Sequence, residues 1–557
     1  MNVPAASYHA SAKLEIDGKK APKDLMNDIL QIMVEESLHL PGMFTLVIQN
    51  EYSSSREQDK PWRYQDLLQI GKVIKLGFIS STTESKSFSE AHQENILEGE
   101  ITAIEAHFNE GTQAPIVVRG YDVAHRLHRG YHNRSFQNMT DSDIVKKVVD
   151  EVKIKVGQID SSGEPHDYVF QENQTNLAFL RERATRIGFE LFVQDGKLNF
   201  RNPKADKEEL SLKWLSNLHS FRVRVTSAEQ VKEVEVRAWD YSQKRSIVST
   251  AKVEQVITST KNGKGSETSS QFDGQPSKPK HIVVDQPVFK PKEADAIAQS
   301  LCNELGGQFV QADAKAEGNP KIRPGRIVKL EGMGQYDGKY YITETRHLYQ
   351  ERVYMTEFSV RGLRGGNLLT LLASPTQLQP GQTLLVGIVT DNEDPEGWGR
   401  VKVKFPTLTE DHASQWARVV SLGAGNQRGF DCLPEINDEV LVGFEHGDIH
   451  RPYIMGGVWN GKDAPPNKVS DNVKDGKVCL RTIKTRTGHQ IQFVEEDGSR
   501  KKGVYIETKG GHTIALTDSD NSISISSTGS LSIQAKGNIS ISALGEITLK
   551  GAMIRLN

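Results

Sequence analysis

The sequence has few cysteines, little net charge and no long apolar run, and each shortage excludes a class of protein. Its 557 residues include 3 cysteines, Cys302, Cys432 and Cys479, which lie far apart and form no C-x-x-C pair. We therefore expect neither a disulfide framework nor a zinc site, and we expect synthesis in a reducing compartment. No stretch is long and apolar enough for a transmembrane helix. A formal net charge of −3 gives the whole chain no bulk attraction for nucleic acid.

The first twenty residues also lack the charged segment and apolar run of a signal peptide. If the protein leaves the cell, a route other than the general secretory pathway must carry it. Hydrophobic residues make up 36% and charged residues 25% of the chain, which is an ordinary balance for a soluble protein. Because 557 residues exceed what one hydrophobic core serves, we expect three to five domains.

Three segments predict helices within a first part of the chain that is otherwise strand-like. The segment DSDIVKKVVDEV places its valines and isoleucines on one face, with Asp141 or Ser142 as the expected N-cap. The segment NLAFLRERATRIG ends at Gly188, a typical helix stop. The segment KEADAIAQSLCNELGG begins after Pro291 and ends at Gly306.

Two parts of this region resemble each other. Residues 71–78 echo residues 325–333, and residues 101–120 echo residues 342–362 in the same order. Strands that simply reuse valine, isoleucine and lysine would explain the likeness of composition. The shared order and end points favour the second interpretation, two similar β-barrels in one chain with the helices between them.

A compact β unit follows at residues 383–460. Five or so short strands with glycine-rich turns in this length predict a small closed barrel of the oligonucleotide/oligosaccharide-binding (OB) type. A polar, proline-bearing linker comes after it.

The tail repeats every eight residues, with a glycine and a pair of alternating apolar residues in each repeat. The pairs are Ile523 and Ile525, Leu531 and Ile533, Ile539 and Ile541, and Ile547 and Leu549. A last pair, Ile554 and Leu556, comes one residue early. One chain cannot close such a core because each short strand leaves both edges unpaired. Three interleaved copies could close it; an amyloid-like or disordered tail is the alternative, which the regular glycine period disfavours.

Several of these segments resemble the VgrG family, the trimeric spikes of contractile injection systems, and the hub and spike proteins of phage tails. The similarity covers nearly the whole chain. Its segments are VRGYDVAHRLHRG, ENQTNLAFLRERATRIGFELFVQDGKLNFRNP, VGIVTDNEDPEGWGRVKVKFP, WARV, PEINDEVLVGFEHGDIHRPYIMGGVWNG, TGHQIQFVEEDG and the octads.

The pattern and the resemblance together predict a mainly β fold with minor α. It has two hub β-barrels with intervening helices, an OB-type barrel and a C-terminal intertwined trimeric β-helix. The expected domains are a first hub barrel at 1–130, a helix-containing hub insert at 131–210, a second hub barrel with a helix at 211–370, the OB-type barrel at 380–463, a linker at 464–485 and the β-helix spike at 486–557.

The resemblance implies a structural spike and hub protein, not an enzyme, at the tip of a contractile, phage-tail-like injection particle. It would adapt a hexameric tube to a three-fold puncturing needle. The implied partners are two further copies of the chain, a hexameric inner tube protein, baseplate proteins, effector cargo and a PAAR-type tip protein docked at Ile554 and Leu556. No cofactor, metal or nucleic acid is implied.

The resemblance also implies assembly in the bacterial cytoplasm without a signal peptide, followed by action in a particle that is driven into the target. The short β-helix favours an extracellular, phage-tail-like particle over a type VI secretion system. Unlike in some relatives, we expect no lysozyme insertion between the barrel and the β-helix and no domain after the β-helix. Its tail histidines, His489 and His512, form no H-x-H pattern of the kind that binds iron in some phage spikes.

Two other functions remain as alternatives: a spike with cryptic hydrolase activity and an OB-type nucleic-acid-binding assembly protein. A hydrolase would need two carboxyl groups held across a cleft, one with a raised pKa. The acidic cluster Asp391, Glu393, Asp394 and Glu396 instead crowds one glycine- and proline-bearing turn, so we interpret it as a solvated turn.

Nucleic-acid binding would need basic side chains with aromatic neighbours. The basic segment at residues 125–134 is interpreted as an inter-subunit surface of the hub. The strand RVKVKF places Arg400, Lys402 and Lys404 on one face, without an aromatic residue of its own on that face. The segment HGDIH suggests a metal site only loosely, and TKNGKG lacks the spacing of a phosphate-binding loop.

Overall fold

The computed structural model describes residues 10–50, 62–81, 91–108, 115–204, 209–286, 288, 290–362, 382–410 and 413–555. The chain divides into two compact units, Met1–Val458 and Trp459–Asn557. No helix in the described part of the chain is long and apolar enough to cross a membrane.

The first unit is built mainly of strands, which confirms the mainly β prediction. Its strands are β1 (Ala10–Ile16), β2 (Lys19–Lys20), β3 (Ile29–Ser37), β4 (Met43–Ile48), β5 (Val73–Ser81), β6 (Ala91–Ala106), β7 (Ile116–Asp122), β8 (His132–Met139), β9 (Lys155–Ile159), β10 (His166–Gln174), β11 (Glu190–Gln194), β12 (Lys197–Arg201), β13 (Glu209–Lys213), β14 (Leu218–Val225), β15 (Glu233–Asp240), β16 (Arg245–Ala251), β17 (Ser259–Thr260), β18 (Lys280–Val283), β19 (Val310–Glu317), β20 (Ile327–Glu331), β21 (Gly338–Tyr341), β22 (Glu344–Gln350), β23 (Val353–Val360), β24 (Leu385–Asp391), β25 (Arg400–Lys404), β26 (Ala417–Val419), β27 (Glu439–Phe444) and β28 (Pro452–Gly457). Its α-helices are α1 (Lys23–Asp28), α2 (Asp141–Glu151), α3 (Asn176–Ile187), α4 (Gly265–Thr268) and α5 (Pro291–Gly307).

One eleven-stranded sheet joins the two repeated parts of the hub, in the order β14-β19-β23-β22-β3-β4-β7-β6-β5-β1-β2. The hairpins β6–β7 and β22–β23 carry the second pair of repeated segments, and the hairpin β3–β4 connects them. The first pair behaves differently, because β5 lies in this sheet whereas β20 lies in a four-stranded sheet with β13, β21 and β17. Alternating side chains fix which face of a strand is buried, but they do not fix which strand it pairs with.

The core of the first half follows from this alternation. Phe44, Leu46 and Ile48 point inward from β4, and Phe78 does so from β5; all four are fully buried. The ring of Phe78 stacks on that of Tyr354 from β23, with 4.5 Å between centroids, so the core spans both repeated parts.

Helix α2 confirms the predicted helix, but its predicted cap is wrong. The N-cap is Thr140, whose hydroxyl accepts a hydrogen bond from the Asp143 N–H at 3.1 Å, while the Asp143 carboxylate accepts one from the Thr140 N–H at 3.4 Å. This reciprocal capping box begins one residue before the expected position. Asp141 pairs instead with Arg183 at 2.6 Å.

The other two predicted helix ends are confirmed to within a residue. Gly188 follows α3 in the left-handed conformation with φ of 73°, which a residue with a Cβ adopts only at a cost. Helix α5 begins at Pro291 and ends at Gly307.

Strands β24–β28 form a closed barrel in the order β24-β25-β26-β28-β27, as predicted for the OB-type unit. Its core is almost entirely aliphatic, with fully buried Val389, Val401 and Val442. The hub holds this barrel through Trp239, whose indole N–H donates to the carboxylate of Glu439 at 3.0 Å.

The second unit contains a short helix α6 (Val469–Asn472), a hairpin of β29 (Val473–Lys474) and β30 (Lys477–Val478), and then an antiparallel sheet. The five strands of that sheet follow one another in chain order: β31 (Leu480–Lys484), β32 (Gln490–Val494), β33 (Gly503–Glu507), β34 (Thr513–Thr517) and β35 (Ser522–Ser526). The segment predicted as a linker, 464–485, thus contains α6, the hairpin and β31. Residues 527–555 of this single chain enter no strand.

Candidate assembly site

The five-stranded sheet of the second unit places its apolar side chains on one face. Residues directly opposite each other in an antiparallel pair point to the same side, so the strand register defines rows of neighbours. The first row is Ile483, Ile491, Ile506, Ile514 and Ile525. The second row is Arg481, Phe493, Val504, Leu516 and Ile523.

The opposite face of the same sheet is mainly polar. Its middle row is Thr482, Gln492, Tyr505, Ala515 and Ser524. Most apolar side chains of the sheet therefore lie on one side, and we call the side with the two largely aliphatic rows the apolar tail face.

No described part of the single chain fully covers the apolar tail face. Ile491 is 37% exposed, and the exposure rises to 72% at Ile523. Five strands about 4.8 Å apart make a face roughly 19 Å wide. Burial of apolar surface stabilises by about 25 cal/mol per Å², and a contiguous open face of this kind marks a site of association.

The octads continue this pattern of open aliphatic side chains. All eight residues of the predicted trimer core are exposed, from 50% at Ile547 to 72% at Ile541. They are Ile523, Ile525, Leu531, Ile533, Ile539, Ile541, Ile547 and Leu549. Ile554 of the predicted cap-docking pair is also exposed, and Leu556 lies outside the described residues. Their packing against other copies stays a prediction.

The aliphatic rows begin some forty residues before the first predicted core residue, Ile523. The sequence held a signal for them, because HQIQFV, GVYIET and HTIALT alternate between apolar and polar residues as the octads do. Their longer connecting turns break the eight-residue period, which is why the repeat pattern alone did not include them.

The basic face of β25 has no aromatic residue of its own, but two aromatic rings from neighbouring segments lie against its cations. The guanidinium of Arg400 is 4.6 Å from the ring centroid of Trp398, and the ammonium of Lys402 is 4.7 Å from that of Trp416. Both rings come from outside the strand, one from the preceding turn and one from the segment before β26, which strand periodicity could not reveal. Because Asp394 pairs with Arg400 at 2.7 Å, this cation is already compensated.

Asp394 is the centre of the acidic turn. Its carboxylate accepts hydrogen bonds from the guanidinium of Arg400 and from the backbone N–H groups of Glu396 and Trp398. The bond from Arg400, followed by the backbone bonds, holds the pKa of Asp394 below its usual range, although burial opposes this. A general acid of a hydrolase needs a raised pKa, which Asp394 does not have. Its hydrogen bonds within the turn suit it to closing the turn.

The remaining motifs form local ion pairs. In the basic segment, His125 and Arg126 contact the carboxylate of Glu100. In HGDIH, the exposed His450 ring lies 2.8 Å from the Asp448 carboxylate, while His446 occupies the turn before it. The described residues contain no group of three or more His, Cys, Asp or Glu placed to hold a metal ion.

Two family models match the chain. Residues 10–351 match the family described as Alg8 N-terminal domain. Residues 385–459 match the type VI secretion system/phage-baseplate injector OB domain, at the closed barrel.

Several curated relatives are named as type VI secretion system spike proteins. The chain is 27% identical to the type VI secretion system spike protein VgrG1a of Pseudomonas aeruginosa over 165 residues, 28% of this chain and 25% of the relative. It is 32% identical to the spike protein VgrG3 of Vibrio cholerae over 113 residues, 19% of this chain and 11% of the relative. The actin cross-linking toxin VgrG1 of V. cholerae is 33% identical over 118 residues, 20% of this chain and 10% of the toxin. The matches thus span a quarter or less of these relatives.

Solved structures of tail proteins are also similar. A 43 kDa tail protein of a Shewanella oneidensis prophage has a TM-score of 0.47 at 16% identity, covering 63% of this chain and 98% of that one. An Escherichia coli component of the type VI secretion system has a TM-score of 0.40 at 17% identity, covering 80% and 99%.

A mainly β hub, a baseplate-type OB barrel and spike-protein relatives define the class, a VgrG-type spike protein. By the family model that matches residues 10–351, more than half of the chain, the chain belongs to the family described as Alg8 N-terminal domain. The OB-domain match and the spike-protein relatives confirm the VgrG resemblance found in the sequence.

Proposed function

We propose that three copies of this chain form the spike at the tip of a contractile, phage-tail-like injection particle. The observation that carries the proposal is the apolar tail face, which stays open in one chain and continues into the aliphatic octads. Three such faces brought together on a common axis bury one another, while their polar faces point to water. Cyclic association of identical chains is the simplest way to close such a surface.

The hub would then work as an adaptor between the spike and a tube. Each copy contributes two repeated parts to one sheet, so a trimer carries six related parts. Six related parts can meet a hexameric inner tube protein on one side while the spike keeps three-fold symmetry on the other. Baseplate proteins and effector cargo are the other partners that we propose.

We further propose that the protein has a mechanical role without catalysis of its own. The relatives named as spike proteins support this role. The arrangement of Asp394 as a turn-closing group gives no support to the hydrolase alternative. The paired cations of β25 give none to nucleic-acid binding, because a compensated charge attracts phosphate weakly.

Assembly in the bacterial cytoplasm and action in a released particle are part of the same proposal. A PAAR-type tip protein is the proposed partner at the far end of the octads, where the side chains of Met553 and Ile554 are open to solvent. Replacing Ile554 by aspartate would weaken retention of such a cap without changing the mass of the trimer.

The test compares two neighbouring substitutions that add the same charge to opposite faces of β35. Ile525→Asp places a carboxylate on the apolar tail face, and Ser524→Asp places it on the polar face. Light scattering coupled to size exclusion should give three times the 62.0 kDa chain mass for the wild type and for Ser524→Asp. Ile525→Asp should shift the particle toward monomer at micromolar concentration. A monomeric wild type, or equal behaviour of the two variants, would refute the proposal.

A further inference from the structure

Five large apolar side chains are open to solvent on the loops of the OB barrel. Trp398 lies at the end of the acidic turn, and the other four lie in the long connection between β26 and β27, residues 420–438. These four are Leu422, Phe430, Leu433 and Ile436. The exposed fractions run from 40% at Leu433 to 81% at Leu422, and Trp398 is 71% exposed. We call the five residues the barrel loop patch. An open apolar surface of this kind marks a site of association.

The long connection holds its part of the patch in a defined shape. The Phe430 N–H donates a hydrogen bond to the Leu422 carbonyl at 3.0 Å, and the Ser421 hydroxyl donates to the Phe430 carbonyl. Between them the chain reverses, with Gly425 and Arg428 paired through their backbones. Leu422 and Phe430 therefore lie opposite each other on the two arms of one hairpin.

Trp398 joins the patch through the acidic turn. A Cβ placed on Gly399 would lie 3.5 Å from Cδ2 of Leu433, so the backbone next to Trp398 packs close to this leucine. The side-chain amide of Asn392 donates to the Pro434 carbonyl at 3.1 Å. The turn and the connection are therefore attached to each other, and the patch forms one surface.

The size of the patch indicates what could cover it. Five side chains are fewer than the roughly 20–30 residues that each side of a free-standing interface contributes. A tethered copy needs much less contact, because linkage raises the effective concentration of a binding surface to about the millimolar range. Strand β28 ends at Gly457 and the second unit begins at Trp459, so three assembled tails would carry three barrels on short connections.

We propose that the barrel loop patch is a second contact between copies of this chain, in addition to the apolar tail face. This inference rests on the trimer of the proposed function. The patches of three copies would meet around the common axis, where Trp398, Leu422 and Phe430 lose their contact with water. Burial of this apolar surface, at about 25 cal/mol per Å², would add to the stability of the assembly.

Cys432 is a direct probe of the contact. It lies between Phe430 and Leu433 and is exposed, whereas Cys302 and Cys479 are buried. The full-length protein is treated with a short bismaleimide, which joins two thiols only when they are close together. The wild type should give covalently joined chains on a denaturing gel. The variant Ile525→Asp, which should be monomeric, should not give them at the same concentration.

A second experiment adds a charge to the patch. Leu422→Asp should keep the mass of the trimer, because the tails still hold the copies together, but it should lower the midpoint of thermal unfolding by about 2–4 °C. In the Ile525→Asp background it should leave the midpoint unchanged, because Leu422 is open to solvent in one chain. Gln427→Asp is the matched control, since it adds the same charge at an exposed position of the same hairpin outside the patch. It should shift the midpoint in neither background.

The outcomes separate this inference from the proposed function. A monomeric wild type would refute both. A trimer in which the bismaleimide joins no Cys432 thiols, or in which Leu422→Asp and Gln427→Asp have equal midpoints, would overturn the patch contact and leave the trimer of tails standing.

Discussion

At the scale of single residues, Arg323 connects several segments of the hub through hydrogen bonds and ion pairs. Its guanidinium makes two bonds to the Glu36 carboxylate, at 2.7 and 3.1 Å, and one to Asp195 at 2.9 Å. It also donates to the carbonyl oxygens of Asn95 and Ile96. Arg323 and Glu36 are both buried, and the group joins β3, β6 and the β11–β12 turn. Removing one partner of such a buried ion pair destabilises the fold, because the other charge is then buried without compensation.

Arg323→Met should therefore lower the free energy of unfolding by about 3–5 kcal/mol, because the Glu36 carboxylate loses its counter-ion. The double variant with Glu36→Gln should recover part of this loss. Arg63→Met removes the half-exposed pair with Asp28 and should change stability little. Urea unfolding measures all three. A small effect of Arg323→Met would show that the ion pair does not hold the hub together.

His347 gives the hub a pH dependence. Its ring is completely buried, with Nδ1 2.8 Å from the Tyr354 hydroxyl, and burial together with the charge of Arg323 lowers its pKa to about 3. The histidine of the unfolded chain titrates near pH 6.5. Between this pH and the lowered pKa, the unfolded chain therefore binds a proton at His347 that the folded chain does not bind. The free energy of unfolding should decrease as the pH falls from 6.5 toward 3.

The variant His347→Phe should flatten this dependence, although the lost partner of Tyr354 lowers stability at pH 7 by about 1–3 kcal/mol. Thermal unfolding between pH 7 and 4.5 measures the slope. His219→Phe, at an exposed position, is the control and should keep the slope of the wild type. Asp122, whose pKa burial raises to about 7, is unchanged in both variants, so the comparison isolates His347. An unchanged slope in His347→Phe would contradict this account.

At the scale of elements, sequence periodicity predicted the helices and strands that depend on residues close together in the sequence. The helices α2, α3 and α5 and the closed barrel follow from apolar spacing, glycine stops and turns. The Thr140 cap was missed by one residue, since several neighbouring side chains could cap. The pairing of β20 apart from β22 was not predictable, because it depends on contacts between distant segments. For the same reason, Trp398 and Trp416 on the basic face of β25 escaped prediction.

The octads can be tested at this scale with single cysteines in a Cys432→Ser background, which removes the exposed native thiol. Ile541→Cys should form disulfides between copies, because inward side chains meet at the axis and a disulfide needs Cβ atoms about 3.5–4.5 Å apart. Ser540→Cys, which faces water, should not. Non-reducing electrophoresis after mild oxidation measures the fraction of chains that are linked by a disulfide. Equal cross-linking of both variants would contradict the inward orientation of Ile541.

At the scale of the whole molecule, the hub and the OB barrel belong to one compact unit. Three hub side chains donate hydrogen bonds to the OB barrel. Trp239 donates to the Glu439 carboxylate, and Arg237 donates to the Leu408 carbonyl at 2.9 Å. Lys244 donates to the Asn437 carbonyl. The second unit supplies the apolar tail face, which one chain leaves open. A compact first unit and an open apolar tail face are what we expect of a protein whose task begins only when copies assemble.

The most direct test of the proposed spike is a cryo-electron microscopy reconstruction of the purified full-length protein. The account predicts three chains around one axis, with Ile491, Ile514 and Ile541 facing the axis and Ser524 and Ser540 facing solvent. A monomer, a two-fold assembly, or a trimer whose aliphatic rows face outward would contradict it.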